Sequence, residues 1–154
     1  MKKKEYLNYY VCSSLIEPKI TAGYVSLANK DDIAILAEYW YYAHLEMEYV
    51  TPITKKESTE YVEKLFNKAK IYKCTENNEI VSIGYYEITN KKAKISGIYT
   101  IPSKRRNGYA TNLVSTMTKD ILNDNYISTL YAAKKYIPSN NLYIKLGYQI
   151  KKES

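Results

Sequence analysis

Residues 95–122 read ISGIYTIPSKRRNGYATNLVSTMTKDIL, a strand, a basic turn and a helix in succession. Ile95 to Ile101 is rich in β-branched and aromatic residues, and Pro102 ends the run because proline cannot continue a central ladder. Ala110, Leu113, Val114, Met117 and Ile121 then recur at offsets of three and four, the apolar stripe of a helix. Gly108 therefore stands where a loop becomes a helix N-terminus. Such an end carries unpaired backbone N–H groups and the positive pole of the helix dipole, so it attracts anions. Arg105 and Arg106 add charge beside it. The arrangement suits a pyrophosphate.

Neither a G-x-x-x-x-G-K-[ST] loop nor a G-x-G-x-x-G turn is present, so the common nucleotide fingerprints do not account for this segment. It matches instead the pattern Arg/Gln-x-x-Gly-x-Gly/Ala, as Arg105, Gly108 and Ala110. A second block follows a further strand: Pro138-Ser139-Asn140-Asn141-Leu142-Tyr143-Ile144-Lys145-Leu146-Gly147-Tyr148. The two blocks, in this order, resemble the GNAT superfamily of N-acetyltransferases, and the resemblance covers roughly residues 20 to 150. It implies that the first block holds the pyrophosphate of acetyl-CoA, and that the second is the family's Asn-Pro-x-Ser-Asn-x-x-Tyr-x-x-x-Gly-Tyr/Phe motif.

A chain of 154 residues makes one domain, large enough to bury roughly 70% of its unfolded surface. Hydrophobic residues at 45% and charged ones at 25% are those of an ordinary globular protein, which sets aside disordered and fibrous classes. Tyrosine occurs 19 times against one Trp and one Phe, so tyrosine serves as the general aromatic. The net charge of +7 suits an anionic cofactor. The lysines are scattered through 2–4, 55–56, 91–92, 134–135 and 151–152, which argues for a solvated surface over one nucleic-acid stripe. Cys12 and Cys74 have no metal or disulfide spacing, and no metal is expected. No stretch reaches membrane-spanning length, and the segment after Lys2 to Lys4 is too polar for a signal peptide. A cytoplasmic protein is expected.

Residues 1–19 are read as an extra strand, a helix or an arm, ahead of an acetyltransferase domain at 20–154. Ala22 to Leu27 reads as a strand. Asn29 to Asp32 caps a helix with the stripe Ile33, Leu36, Ala37, Trp40, His44 and Met47. Thr54 to Glu57 has capping-box spacing for a second helix, with Tyr61, Val62, Leu65 and Ala69 inward. Ile71 to Thr75 and Ile80 to Ile88 form a hairpin around Glu76 to Glu79. Ile127 to Ala132 is a strand, Ser139 to Leu146 a short helix closed by Gly147, and Tyr148 to Lys151 a last strand. The order β-α-α-β-β-β-α-β-α-β gives an α/β (α+β) domain. The resemblance implies a GNAT fold with a mixed central sheet of six to seven strands and about four helices.

The resemblance also implies the site. Backbone groups of Ile98, Tyr99 and Thr100 would pair with the pantetheine arm, with one N–H facing the thioester oxygen. Arg105, Arg106, Asn107, Gly108, Tyr109, Ala110 and Thr111 would meet the pyrophosphate, and Asn140 the pantetheine or its backbone loop. Tyr143 maps to the family tyrosine beside the cofactor sulfur, where a phenol of pKa near 10 suits protonation of a leaving thiolate. Ile137 stands where the family has the first asparagine of its second motif. Lys94 stands where histone-type relatives have a glutamate. The base stays open among Glu87, Glu46, Glu48, His44 and water. Gly97 serves either a strand bulge or close packing.

The function so implied is transfer of an acetyl group from acetyl-CoA to a primary amine, by direct attack in a ternary complex. The acceptor is a small molecule or a protein, and the enzyme a monomer or homodimer. The alternatives are a regulatory module that binds acyl-CoA without turnover, and a basic acetyltransferase directed at RNA or aminoacyl-tRNA.

Overall fold

The computed structural model describes residues 5–47 and 50–153. Its strands are β1 (Leu7–Cys12), β2 (Tyr24–Leu27), β3 (Lys70–Glu76), β4 (Glu79–Thr89), β5 (Lys92–Thr100), β6 (Ile127–Ala133) and β7 (Gln149–Ile150). Its helices are α1 (Ile33–Glu46), α2 (Lys55–Leu65), α3 (Tyr109–Asn123) and α4 (Ile137–Lys145). The strands form one sheet in the order β2-β3-β4-β5-β6-β1-β7. Among the described residues only β5 and β6 run parallel, joined by α3, as a crossover connection requires. Among the described residues no helix is long and apolar enough to cross a membrane.

Local signals set most boundaries. Thr54 Oγ1 accepts from Glu57 N at 3.0 Å and Glu57 Oε1 from Thr54 N at 2.8 Å, the reciprocal cap expected of that spacing. Asn77 and Asn78 turn the β3–β4 hairpin with φ of +51° and +66°, values asparagine tolerates better than most residues. Two expected elements shift. The strand read from Ala22 begins at Tyr24, because Ala22 N bonds instead to the Gly108 carbonyl. The helix read from Ser139 begins at Ile137, with Pro138 in its first turn, where proline is tolerated.

Of the alternatives for the N-terminus, the structure shows a strand inside the sheet. β1 pairs antiparallel with β6 over six residue pairs and with β7 over two. Tyr10 and Cys12 point to the α3 side, and both are buried.

Each face of the sheet has its own core. On one side Leu113, Val114, Met117 and Ile121 of α3 pack against Val81, Tyr86, Ile95 and Leu130. On the other, Leu36 and Ala37 of α1 and Val62 and Leu65 of α2 cover Ile71, Ile83, Tyr85 and Tyr99. Tyrosines serve both cores because their hydroxyls find partners. Tyr148 Oη lies 2.6 Å from Thr118 Oγ1 and 2.7 Å from Ser128 Oγ, and Tyr72 donates to Asp120 at 2.6 Å.

The pairing of β5 changes character at one point. Tyr85 faces Ser96 and Ile83 faces Tyr99, so Gly97 and Ile98 together oppose Gly84. This is a bulge with glycine at φ +66°. Both readings of Gly97 hold at once, since a Cβ there would stand 2.6 Å from Tyr85 Cε2 and 2.9 Å from Trp40 Cζ3. The extra residue flips the side-chain parity, so Ile95 and Ile98 lie on the α3 side while Tyr99 lies under α1. Gly84 is crowded as well, but by the end of the Ile98 side chain, which can turn aside. Gly97→Ala is therefore expected to cost about 2 kcal/mol or more, from the left-handed backbone and two packed rings. Gly84→Ala should cost less, and urea unfolding of the two variants checks the order.

Candidate active site

The site begins where β5 parts from β6. Its parallel pairing with β6 runs from Lys92–Ile127 to Ile95–Leu130 and stops. On the β6 side the backbone of Gly97 and Ile98 therefore lies beyond the ladder, while on the β4 side the two share Gly84 as partner.

Beyond Thr100 a short 3₁₀ turn, Pro102–Lys104, leads into the loop. Arg106 takes φ +65° and Gly108 takes φ +90°, which curls the chain so that Gly108 is the N-cap of α3. Glycine has no side chain to cap with, and α3 has no side-chain cap. The first-turn N–H groups of Tyr109, Ala110 and Thr111 thus face the loop at the positive end of a 15-residue helix. The Gly108 carbonyl is fixed by Asn112 N at 3.1 Å, and Asn112 Nδ2 donates to the Ala22 and Gly23 carbonyls at 3.0 and 2.9 Å. Tyr109's ring is buried in the core, so this residue offers the site its backbone only. Asn107 is exposed and donates from Nδ2 to the Arg105 carbonyl at 3.1 Å.

The two arginines are not equivalent. Arg106 is exposed at the turn. Arg105 is engaged within the protein: Nε donates to the Thr100 carbonyl at 2.8 Å, and Nη2 to both Glu46 oxygens at 2.8 and 2.9 Å. Its guanidinium carbon sits 5.4 Å from the Tyr99 ring centroid. Burial, then the Glu46 charge, pushes the Tyr99 phenol up to about 12. Thr100 is also committed, its Oγ1 lying 2.8 Å from Ser82 Oγ.

Tyr143 is buried on α4, its ring centroid 5.8 Å from that of Tyr10 and 6.0 Å from that of Tyr148. Burial, then the neighbouring Tyr10, pushes its phenol up to about 12, so it holds its proton at neutral pH. Asn140 spends its side chain within the protein. Oδ1 accepts from Tyr10 Oη at 2.5 Å and Asn8 Nδ2 at 3.0 Å, while Nδ2 donates to the Ala133 and Tyr136 carbonyls, both at 2.8 Å. The amide is saturated inside the protein. Tyr10 and Asn8 are neighbours of the site that the sequence did not single out.

The candidate bases do not converge on one point. Glu46 is held by Arg105. His44 is half-buried, its ring edge-on to Trp40 at 4.7 Å and its Nδ1 3.1 Å from the Trp40 carbonyl oxygen. Glu87 on β4 stands opposite Lys94 on β5. Glu48 lies outside the described residues. Among the described residues, no group of three or more His, Cys, Asp or Glu side chains is placed to hold a metal ion.

Solved structures share this architecture. The acetyltransferase from the GNAT family of Colwellia psychrerythraea is 12% identical with TM-score 0.75, over 94% of this chain and 52% of that one. A predicted acetyltransferase of Clostridium acetobutylicum, solved with acetyl-CoA, is 24% identical with TM-score 0.67, over 86% and 94%. The ribosomal-protein-S18-alanine N-acetyltransferase from Escherichia coli is 14% identical with TM-score 0.67, over 85% and 80%. The chain spans only 52% and 60% of two longer matches, from Colwellia psychrerythraea and Novosphingobium aromaticivorans. A search of curated proteins found no significant match. The fold is the one these acetyltransferase structures share. The model of the FR47-like protein family matches residues 78–154, half of the sequence, and the chain belongs to that family.

The Arg105 contacts make a stability claim. Arg105→Ala removes a half-exposed ion pair and a carbonyl bond, and should cost about 1–2 kcal/mol in denaturant unfolding. Arg105→Lys should not restore it, because an ammonium lacks the planar fork that serves Thr100 and Glu46 together. Arg106→Ala should leave stability unchanged.

Proposed function

We propose that the protein transfers an acetyl group from acetyl-CoA to a primary amine by direct attack in a ternary complex. The observation that carries this reading is the stretch of β5 past Ile95, parted from β6 and bulged at Gly97–Ile98, beside the uncapped start of α3. The donor set fits the cofactor: N–H groups at a helix N-terminus and an exposed Arg106 suit a pyrophosphate, and an unladdered strand edge suits the amides of pantetheine. The Clostridium acetobutylicum structure, solved with acetyl-CoA, supports the same choice.

Bound acetyl-CoA supplies an acetyl thioester. Residues Gly108 to Thr111 hold the pyrophosphate through backbone N–H groups, and Ile98 to Thr100 orient the arm through theirs. One of these N–H groups would face the thioester oxygen and stabilise the charge that develops there. The amine nitrogen forms the new C–N bond, the C–S bond breaks, and Tyr143 gives its phenolic proton to the departing sulfur. The amine's surplus proton leaves to solvent, and the phenolate regains one from it. The products are an amide and free CoA. Lys94 in place of a strand glutamate favours a second reading, a module that binds acyl-CoA without turnover. Tight binding with no free thiol across an amine panel would establish it. The acceptor class, a cytoplasmic setting and a monomer or homodimer belong to the same proposal.

Gly108→Val should abolish acetyl-CoA binding in calorimetry, because no L side chain adopts φ +90° comfortably while the fold around the loop persists. Unchanged affinity in a folded variant would remove the pyrophosphate assignment. Tyr143→Phe should keep that affinity and lower turnover on the order of 100-fold, the usual contribution of a general acid. Parental turnover would make Tyr143 a structural tyrosine.

A further inference from the structure

The N-terminal strand reaches the helix that carries Tyr143 through contacts the proposed chemistry leaves unused. Tyr10 is fully buried, donates to Asn140 and lays its ring against that of Tyr143. Asn140 and Tyr143 are three residues apart on α4 and so share one face. The Asn140 amide has one usable orientation, since its nitrogen faces two carbonyls and its oxygen two donors. The first turn of α4 is thereby pinned to β1 and to the end of β6. Tyr10 forms one wall of the Tyr143 slot, and Tyr148 contributes another.

We propose that Tyr10 is a positioning residue for acyl transfer: its hydroxyl fixes Asn140 and its ring fixes the Tyr143 phenol, so β1 sets where the acid stands. The proposal rests on the reading of Tyr143 as the proton donor. Proton transfer demands hydrogen-bond reach, and misplacement by an ångström costs far more in rate than in stability. Removing the Tyr10 hydroxyl leaves Asn8 on the Asn140 oxygen, so the fold keeps part of the anchor.

The test uses the full chain, acetyl-CoA and the amine that the parent acetylates fastest in a panel, with free thiol as readout. Tyr10→Phe should lower kcat about fivefold with KM for acetyl-CoA within about twofold, and should add nothing in a Tyr143→Phe background, as expected of a residue acting through another. Asn8→Ala cuts the other half of the anchor and should give a smaller loss that also disappears in that background. Parental kcat in Tyr10→Phe overturns the proposal. So does an equal loss in both backgrounds, which would mean that the helix had merely loosened. If Tyr143→Phe itself turns over at the parental rate, the proton-donor reading fails first. A slow Tyr143→Phe beside a parental Tyr10→Phe sinks the positioning role alone.

Discussion

The parting of β5 from β6 after Ile95 is the constraint on which the rest of the structure depends. A parallel pair bonded along its whole length would leave no free backbone between the two strands. The bulge at Gly97 breaks that continuity on the β4 side as well, and it also changes which core each later residue serves. Ile98 remains with α3 while Tyr99 passes under α1, so both cores meet at the exposed strand edge. Only glycine tolerates this point, because the backbone is left-handed and the rings of Tyr85 and Trp40 lie against its Cα.

Opening a sheet in this way costs ladder bonds, and the frame around the opening compensates. On the α1 side, Arg105 binds the Thr100 carbonyl and the Glu46 carboxylate, joining the strand end, the loop and the last turn of α1. On the α3 side, Asn140 joins β1, β6 and the start of α4. Each clamp is planar, with several donors or acceptors in one plane, so each fixes orientation as well as distance. The loop between them is left to present backbone N–H groups.

The strand–loop–helix unit was legible because its signals are local: a β-branched run, a proline stop, a glycine and a stripe at offsets of three and four. The Thr54 capping box and the Asn77-Asn78 turn were legible for the same reason. β1 was not. Its inward residues are Tyr10 and Cys12 and its outward ones include Tyr9 and Val11, so hydropathy hardly alternates along it. Tyrosine fits either face, and 19 of them blur the period by which a strand is recognised. The partners of Arg105 and Asn140 were invisible for another reason. Glu46 lies 59 residues from Arg105, and Tyr10 lies 130 from Asn140. A short motif names a residue type at a position, whereas the partner across the fold decides what that side chain does.

That distinction bears most on choosing one phenol among so many. Several buried tyrosines have raised pKa values, Tyr148 and Tyr72 among them, so a perturbed phenol alone identifies nothing. Tyr72 and Tyr148 spend their hydroxyls on Asp120 and on Thr118 with Ser128, which makes them core struts. Tyr143 instead sits on the helix that follows β6, the strand from which β5 parts. The sign of its shift matters more than its size. Burial favours the neutral phenol, so the group keeps its proton through the physiological range, the state that the proposed donor role requires. A donor must meet the sulfur only as charge develops on it, and placement then limits the rate more than acidity does. On the positioning role proposed for Tyr10, that placement falls to β1, a strand from the opposite end of the sequence.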